Sequence, residues 1–334
     1  GDDADRPTVW IELGGQLERV NRTQDIYVAP FFDPPSELFS ISPADVQRSP
    51  RYGVGGEGKI TLTPQGTNWS FAASVRYGRS NGKRDGHQET TVSKIPNVRA
   101  QSGYLTAHYQ RYADAAAKHN ESHLVLDFQA GKDVGLGAFG RESSSIFGLG
   151  VRFAQFTARS TTTLGEEPTR FNYKYVPFLH TTLPPSSPRF FRGRESNEES
   201  FRGIGPSLSW NGSAPIVGKD SVQVEFDWGV NAALSFGRQK AHAQHHTSAF
   251  TRYFPASSQT TLYQHAYDHQ RSRSVIVPNA GGFAGVSLKF PNAKVSLGYR
   301  ADFFFGAMDG GIDVRKTYDR NFYGPFATIS IGLP

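Results

Sequence analysis

Residues 222–236 read VQVEFDWGVNAALSF. Its even positions are Val222, Val224, Phe226, Trp228, Val230, Ala232, Leu234 and Phe236; its odd positions are Gln223, Glu225, Asp227, Gly229, Asn231, Ala233 and Ser235. Strict period two over this length predicts a β-strand with one apolar face and one face bearing charge. At about 3.3 Å per residue the strand rises roughly 50 Å, whereas strands of soluble proteins average about 5–6 residues. Such a strand crosses a bilayer even when strongly tilted.

The same alternation recurs along the chain. VWIELGGQL sets Val9, Ile11, Leu13 and Leu17 against Trp10, Glu12 and Gln16. RYGVGGEGKITL sets Tyr52, Val54, Ile60 and Leu62 against Arg51, Glu57 and Lys59. WSFAASVRYG, HLVLDFQAG and FGLGVRF place Arg76, Asp127 and Arg152 opposite their apolar residues. KVSLGYRADFFFGA sets Val295, Leu297, Tyr299, Phe303 and Phe305 against Lys294, Ser296, Arg300 and Asp302. NFYGPFATISIGL turns Tyr323, Ala327, Ile329, Ile331 and Leu333 outward. Weaker members lie near 100–111, 200–211 and 275–290, and an even strand number requires one more, placed within 86–95 (GHQETTVSKI).

These segments predict an all-β protein: one domain over residues 1–334, a closed antiparallel transmembrane β-barrel of about 12 strands. Short periplasmic turns are expected at Pro64-Gln65-Gly66, Ala214-Pro215 and Pro291-Asn292, and long extracellular loops over roughly 23–50, 160–199 and 238–273. Composition agrees. Hydrophobic residues make up 37% and charged residues 20%, and there are 35 Gly and no Cys. Mean hydropathy is −0.48. No stretch approaches the roughly 18 apolar residues of a membrane helix, and alternation keeps a barrel's mean hydropathy low. The polar start GDDADRP reads as a terminus left by signal-peptide removal, and the lack of Cys fits export to an oxidising compartment. The formal net charge of +6 is spread over loops and strands with no helical basic stripe, so nucleic acid is not an expected partner.

Several strings resemble a known family: DFQAGKDVGLG at 127–137, GVRFAQF at 150–156, FRGIGPSLSW at 201–210, and SLGYRADFFFGAMDGG followed by FYGPFATISIGL. Together they are similar to proteobacterial outer-membrane proteins grouped with the Legionella-type major outer membrane protein, a porin-like family. The resemblance covers most strands from about residue 122 onward. It implies a barrel in the bacterial outer membrane and carries over no catalytic motif.

The polar faces bring Glu12, Glu57, Lys59, Arg76, Asp127, Arg152, Glu225, Asp227, Arg300 and Asp302 into the barrel interior. Charges taken out of water must pair or stay wet. They either brace a lumen filled with side chains or line a narrow wet channel and set its ion preference. The principal expectation is porin-like passage of small polar solutes or ions. The alternative is a closed structural or binding barrel that recognises a partner or lipopolysaccharide through its loops. An outer-membrane hydrolase is the third reading, but Asp309, Asp313 and Asp319 have no His or Ser pairing in the sequence, and Asp309-Gly310-Gly311 reads as turn chemistry. No enzyme activity and no cofactor are expected.

Region 238–273 holds five of the 10 His, namely His242, His245, His246, His265 and His269. The spacing of His242, His245 and His246 suits a transition metal, against the plainer reading of a polar, His-rich loop. RFFRGR at 189–194 joins Arg and aromatic residues; it reads as a solvated loop packed on the rim, as a grip on lipopolysaccharide phosphates, or as a loop that folds inward as a plug. GVGGEG lies in a strand and is no phosphate loop.

Overall fold

In a computed structural model of the chain the described residues are 8–21, 53–93, 99–100, 103–104, 108–134, 144–171, 189–219, 221–252, 259–311 and 314–333. All regular structure among them is β, and no helix among them is long and apolar enough to cross a membrane. The strands are β1 (Val9–Asn21), β2 (Gly53–Leu62), β3 (Trp69–Ser93), β4 (Arg99–Ala100), β5 (Gly103–Tyr104), β6 (His108–Asp133), β7 (Ser144–Phe171), β8 (Arg189–Lys219), β9 (Val222–Arg252), β10 (Gln259–Phe290), β11 (Ala293–Asp309) and β12 (Thr317–Leu333). The two-residue strands β4 and β5 pair only with each other, and the other ten close a ring in the order β1-β12-β11-β10-β9-β8-β7-β6-β3-β2. Every junction is antiparallel, and the ring closes where β1 meets β12, with Val9 opposite Leu333 and Leu13 opposite Ile329. Closure pairs the backbone groups that an open edge would leave bare in lipid.

The wall has ten strands, not the twelve expected. The supposed strand within 86–95 is, as far as Ser93, the far end of β3; of the one near 100–111, residues from His108 begin β6, while Ala100 and Gly103-Tyr104 belong to the β4–β5 pair. β3 and β6 pair without interruption from Trp69↔Lys132 to Ser93↔His108. The cause is chemical. Beyond about residue 78 the outward positions turn polar, so hydropathy stops alternating while the backbone remains a strand. The same effect made loops of 160–199 and 238–273. There β7 runs on to Phe171 and β8 starts at Arg189, while β9 reaches Arg252 and β10 starts at Gln259. RFFRGR therefore belongs to a strand. The expected loop at 23–50 lies outside the described residues.

Strand lengths are unequal, and this shapes the molecule. The pairing of β2 with β3 stops at Val54↔Arg79, and that of β11 with β10 stops at Asn279↔Phe304. Beyond those points β3 and β6 to β10 continue as a six-stranded projection. With 25 to 32 residues each, these strands far exceed the roughly 9–11 that a bilayer needs.

At the opposite end the connections are tight. Gly66 takes φ 70° in the turn after Pro64, where Thr67 N–H donates to the Pro64 carbonyl at 3.3 Å. Pro291 and Asn292 make the β10–β11 turn as expected. Ala214-Pro215 does not reverse the chain. It lies inside β8 beside a bulge between Pro215 and Val217, which accommodates a residue that cannot donate to the ladder.

The outward face over the ring half is apolar: Leu13, Ile60, Phe128, Leu149, Ile204, Val230, Ile276, Leu297 and Ile329 are all exposed. In water this would be a large liability at about 25 cal/mol per Å². Against hydrocarbon it is the matching surface.

Candidate functional site

The site is the barrel interior, and the alternation that greases the wall fills it with polar groups. Nearest the short-turn end, Lys294 Nζ reaches Asp227 at 2.8 Å and Glu225 at 3.3 Å, Lys289 Nζ reaches Glu225 at 3.0 Å, and Ser330 donates to Glu12 at 3.0 Å. One layer up, Arg152 grips Asp127 with two parallel bonds of 2.6 and 3.0 Å and also donates to Asn231 and Asn279. Arg300 pairs with Glu57 and lies 4.7 Å from the centre of the Phe326 ring, and Arg76 pairs with Asp302. Eight of the ten inward charges expected from the sequence line one cavity of about 300 Å³: Glu12, Glu57, Lys59, Arg76, Asp127, Arg152, Asp227 and Arg300. Glu225 and Asp302 join it through Lys294 and Arg76. The structure therefore brings together residues from across the whole chain.

Above this chamber a cluster of phenylalanines crosses the interior, with buried His123 and Gln239 at the same level, opposite Phe156 and Phe201 respectively. Phe156, Phe201, Phe304, Met308 and Val277 have no exposed surface, and Phe322 is 6% exposed. Phe156 stacks edge-on against Phe304 at 4.6 Å, lies 5.5 Å from Phe322 and 5.8 Å from Phe201. In the ring order β7 and β12 are five strands apart out of ten, so Phe156 and Phe322 meet across the full diameter. Their rings meet in the middle of the barrel. Sequence reading missed the layer, although the signal was present. Phe156 shares parity with Arg152, and Phe304 with Arg300 and Asp302, so extending the inward series by one or two steps reaches them.

Further polar pairs lie within the phenylalanine layer, where the His123 ring is 4.0 Å from that of Phe322, and beyond it. His123 meets Glu18 at 3.3 Å, and Arg320, 1% exposed, donates to Glu121 at 3.1 Å from a strand four places away around the ring. Tyr318 donates to Glu199. Asp309 is held by Arg271 at 3.0 Å and accepts the Gly311 and Lys316 amides, as its turn role predicts. Asp319 accepts the Gly306 amide at 2.8 Å, where Gly306 takes φ 65° at an irregularity of β11. Asp313 lies outside the described residues. Neither Asp309 nor Asp319 is arranged as a base beside a nucleophile.

The histidines occupy the projection as strand residues, not loop residues. Alternation puts His245 on the inner face and His242 and His246 on the outer one, so the three do not converge. His245 instead bonds His265 ring to ring at 2.9 Å and stacks on Tyr267, which stacks on His269. His242 meets Asp268 at 2.8 Å on the outside. Hydrogen bonds from Gln244 and His242 hold the Asp268 carboxyl below the usual carboxylate range; it lies on the projection, clear of the apolar girdle. Among the described residues no three His, Cys, Asp or Glu side chains are grouped to hold a metal ion.

A closed antiparallel ring, apolar outside and polar inside, defines the class: a β-barrel of the membrane-spanning kind. No family model matches the chain, so membership of the Legionella-type major outer membrane protein family is not shown, and no curated protein matches it. Among solved structures it is similar to the transport unit of the autotransporter AIDA-I from Escherichia coli, at 8% identity and a TM-score of 0.25, covering 100% of this chain and 93% of that one. It is also similar to a bacterial polysaccharide outer membrane secretin, at 9% identity and 0.22, covering 98% and 99%. A third is the Ralstonia pickettii toluene transporter TbuX, at 8% identity and 0.24, covering 98% and 90%.

Proposed function

We propose that this protein is an outer-membrane barrel that is closed in its resting state and works through its outer surface and its six-stranded projection, as a structural or recognition barrel. The observation that carries this reading is the contact of Phe156 with Phe322 across the diameter. Ion pairs spanning the interior above and below it act as braces, which suits the expectation that narrow barrels are filled by side chains.

The experiment is conductance in planar bilayers. The wild-type barrel, folded and inserted, is expected to hold the baseline across moderate voltage and salt. Steady unitary currents at low voltage would overturn the closed reading.

A second reading, passive passage of small polar solutes or ions, draws on the charged chamber around Arg76, Asp127 and Arg152. It requires the phenylalanine layer to move aside. Voltage-dependent openings that depend on those three residues would favour it.

A further inference from the structure

The outward face changes chemistry abruptly where the projection leaves the girdle. One register row reads Val75, Leu126, Phe153, Ile204, Phe236 and Ile276 across β3, β6, β7, β8, β9 and β10. The next outward row reads Tyr77, Leu124, Gln155, Arg202, Arg238 and Ser274, and the one after it Arg79, Ser122, Thr157, Ser200, Lys240 and Ser272. Two steps take the wall from hydrocarbon-like to wet. The cations at this boundary gather on β8 and β9.

Arg202 and Arg238 are direct cross-strand partners, and Lys240 follows Arg238 on the same face. All three are exposed. Like charges directly opposite each other repel. Among the described residues no carboxylate compensates them: Glu198 is taken by Arg159 at 2.7 Å, and Asp268 by His242 and Gln244. Arg202 also lies 5.4 Å from the centre of the Phe153 ring, which keeps its guanidinium at the lip of the girdle. Immediately below, Ile204, Phe236 and Ile276 are each at least half exposed, at 54%, 50% and 59%.

We propose that Arg202, Arg238 and Lys240 bind the phosphate groups of an acylated, phosphorylated glucosamine disaccharide in the outer leaflet, whose acyl chains lie down the Ile204–Phe236–Ile276 strip. This rests on the reading of the barrel as an outer-membrane protein. Charge and position agree. Short turns mark the periplasmic side, so the boundary at the projection faces the outer leaflet. Forked Arg donors match phosphate oxygens, and an anion would relieve the Arg202–Arg238 repulsion. Only an amphiphile satisfies both the cations and the exposed apolar strip beneath them.

The test uses the full chain, folded in uncharged micelles, with bound lipid counted by native mass spectrometry. The probes are bis-phosphorylated lipid A, the same lipid dephosphorylated, and phosphatidylglycerol. Wild-type protein is expected to retain bis-phosphorylated lipid A at least roughly tenfold better than the other two, the scale of one charge-assisted contact. The R202Q/R238Q/K240Q variant should lose that preference, and a control R79Q/K83Q variant should keep it. Equal retention of dephosphorylated lipid A would reduce the site to a greasy strip, and equal retention of phosphatidylglycerol would reduce it to a generic anionic surface; either overturns the proposal. The three-probe comparison on wild-type protein decides the matter even if the triple variant does not fold. Resting conductance is a separate measurement: currents in the presence of a phosphate-dependent preference would remove the closed-barrel reading alone. Failure to insert into phosphatidylcholine vesicles, read by urea extraction, would remove the membrane reading itself.

Discussion

Phe156 and Phe322 sit on opposite sides of the ring, and their side chains meet in the middle with ring centres 5.5 Å apart. Phe304 supports both, at 4.6 and 6.3 Å. Together they form a septum that is mostly apolar, with the His123–Glu18 pair packed at its edge against Phe322. The ring side chains lose contacts if they separate.

Removing the septum should open the barrel. F156A alone is expected to cost about 3–5 kcal/mol of stability, the usual range for a buried Phe to Ala change. The F156A/F322A pair should yield stable ion currents in planar bilayers where wild type gives none. A silent double variant that still folds would show that other groups close the interior.

The Arg152–Asp127 pair offers an electrostatic test. Arg152 is 2% exposed, and R152M would strand the Asp127 carboxylate inside the wall. Breaking a buried pair costs about 3–5 kcal/mol, whereas removing both partners costs far less. Urea unfolding in lipid vesicles should therefore rank R152M/D127N closer to wild type than R152M. If the effects simply add, the two residues are not coupled.

Gly78 is an inward position on β3 with no room to spare. A Cβ there would collide with the His123 ring and the Glu18 carboxylate. G78A should lower stability by about 1–3 kcal/mol, the range for overpacking. The loss should shrink in a G78A/H123A background, measured by the same unfolding assay.

Ring closure can be trapped covalently because the chain has no Cys of its own. Leu13 and Ile329 are opposite each other across the β1–β12 seam, 64% and 57% exposed on the outside. The L13C/I329C variant should form an intramolecular disulfide on oxidation, seen as a mobility shift lost on reduction. L13C with Val230→Cys, from a strand on the far side of the ring, should not.

Shortening the β9–β10 projection separates septum from loop plug. Replacing residues 243–267 with a two-residue turn should leave the barrel heat-modifiable on gels and still electrically silent, because the phenylalanine layer lies below the cut. Currents on shortening would place the block in the projection.

The alternation that made the wall legible also explains where sequence reading stopped. In 222–236 every second residue is apolar, and lipid outside with polar groups inside is the arrangement those residues satisfy. At Arg238, Lys240 and His242 the outward face becomes polar, so both faces look alike and a strand reads as a loop. Two projecting strand ends counted as separate strands turned ten into twelve. All ten inward charges follow from parity alone, because parity is local.

Local alternation alone sets which side of each strand meets hydrocarbon, since that depends only on neighbouring residues and a repeat of two. Which inward residues meet was decided by tertiary structure. Arg152 finding Asp127 next door, Arg76 finding Asp302 and Phe156 touching Phe322 depend on strand number, register and the width of the ring, which no single strand encodes. Opposite walls touch at Phe156 and Phe322 because a ten-stranded ring is narrow.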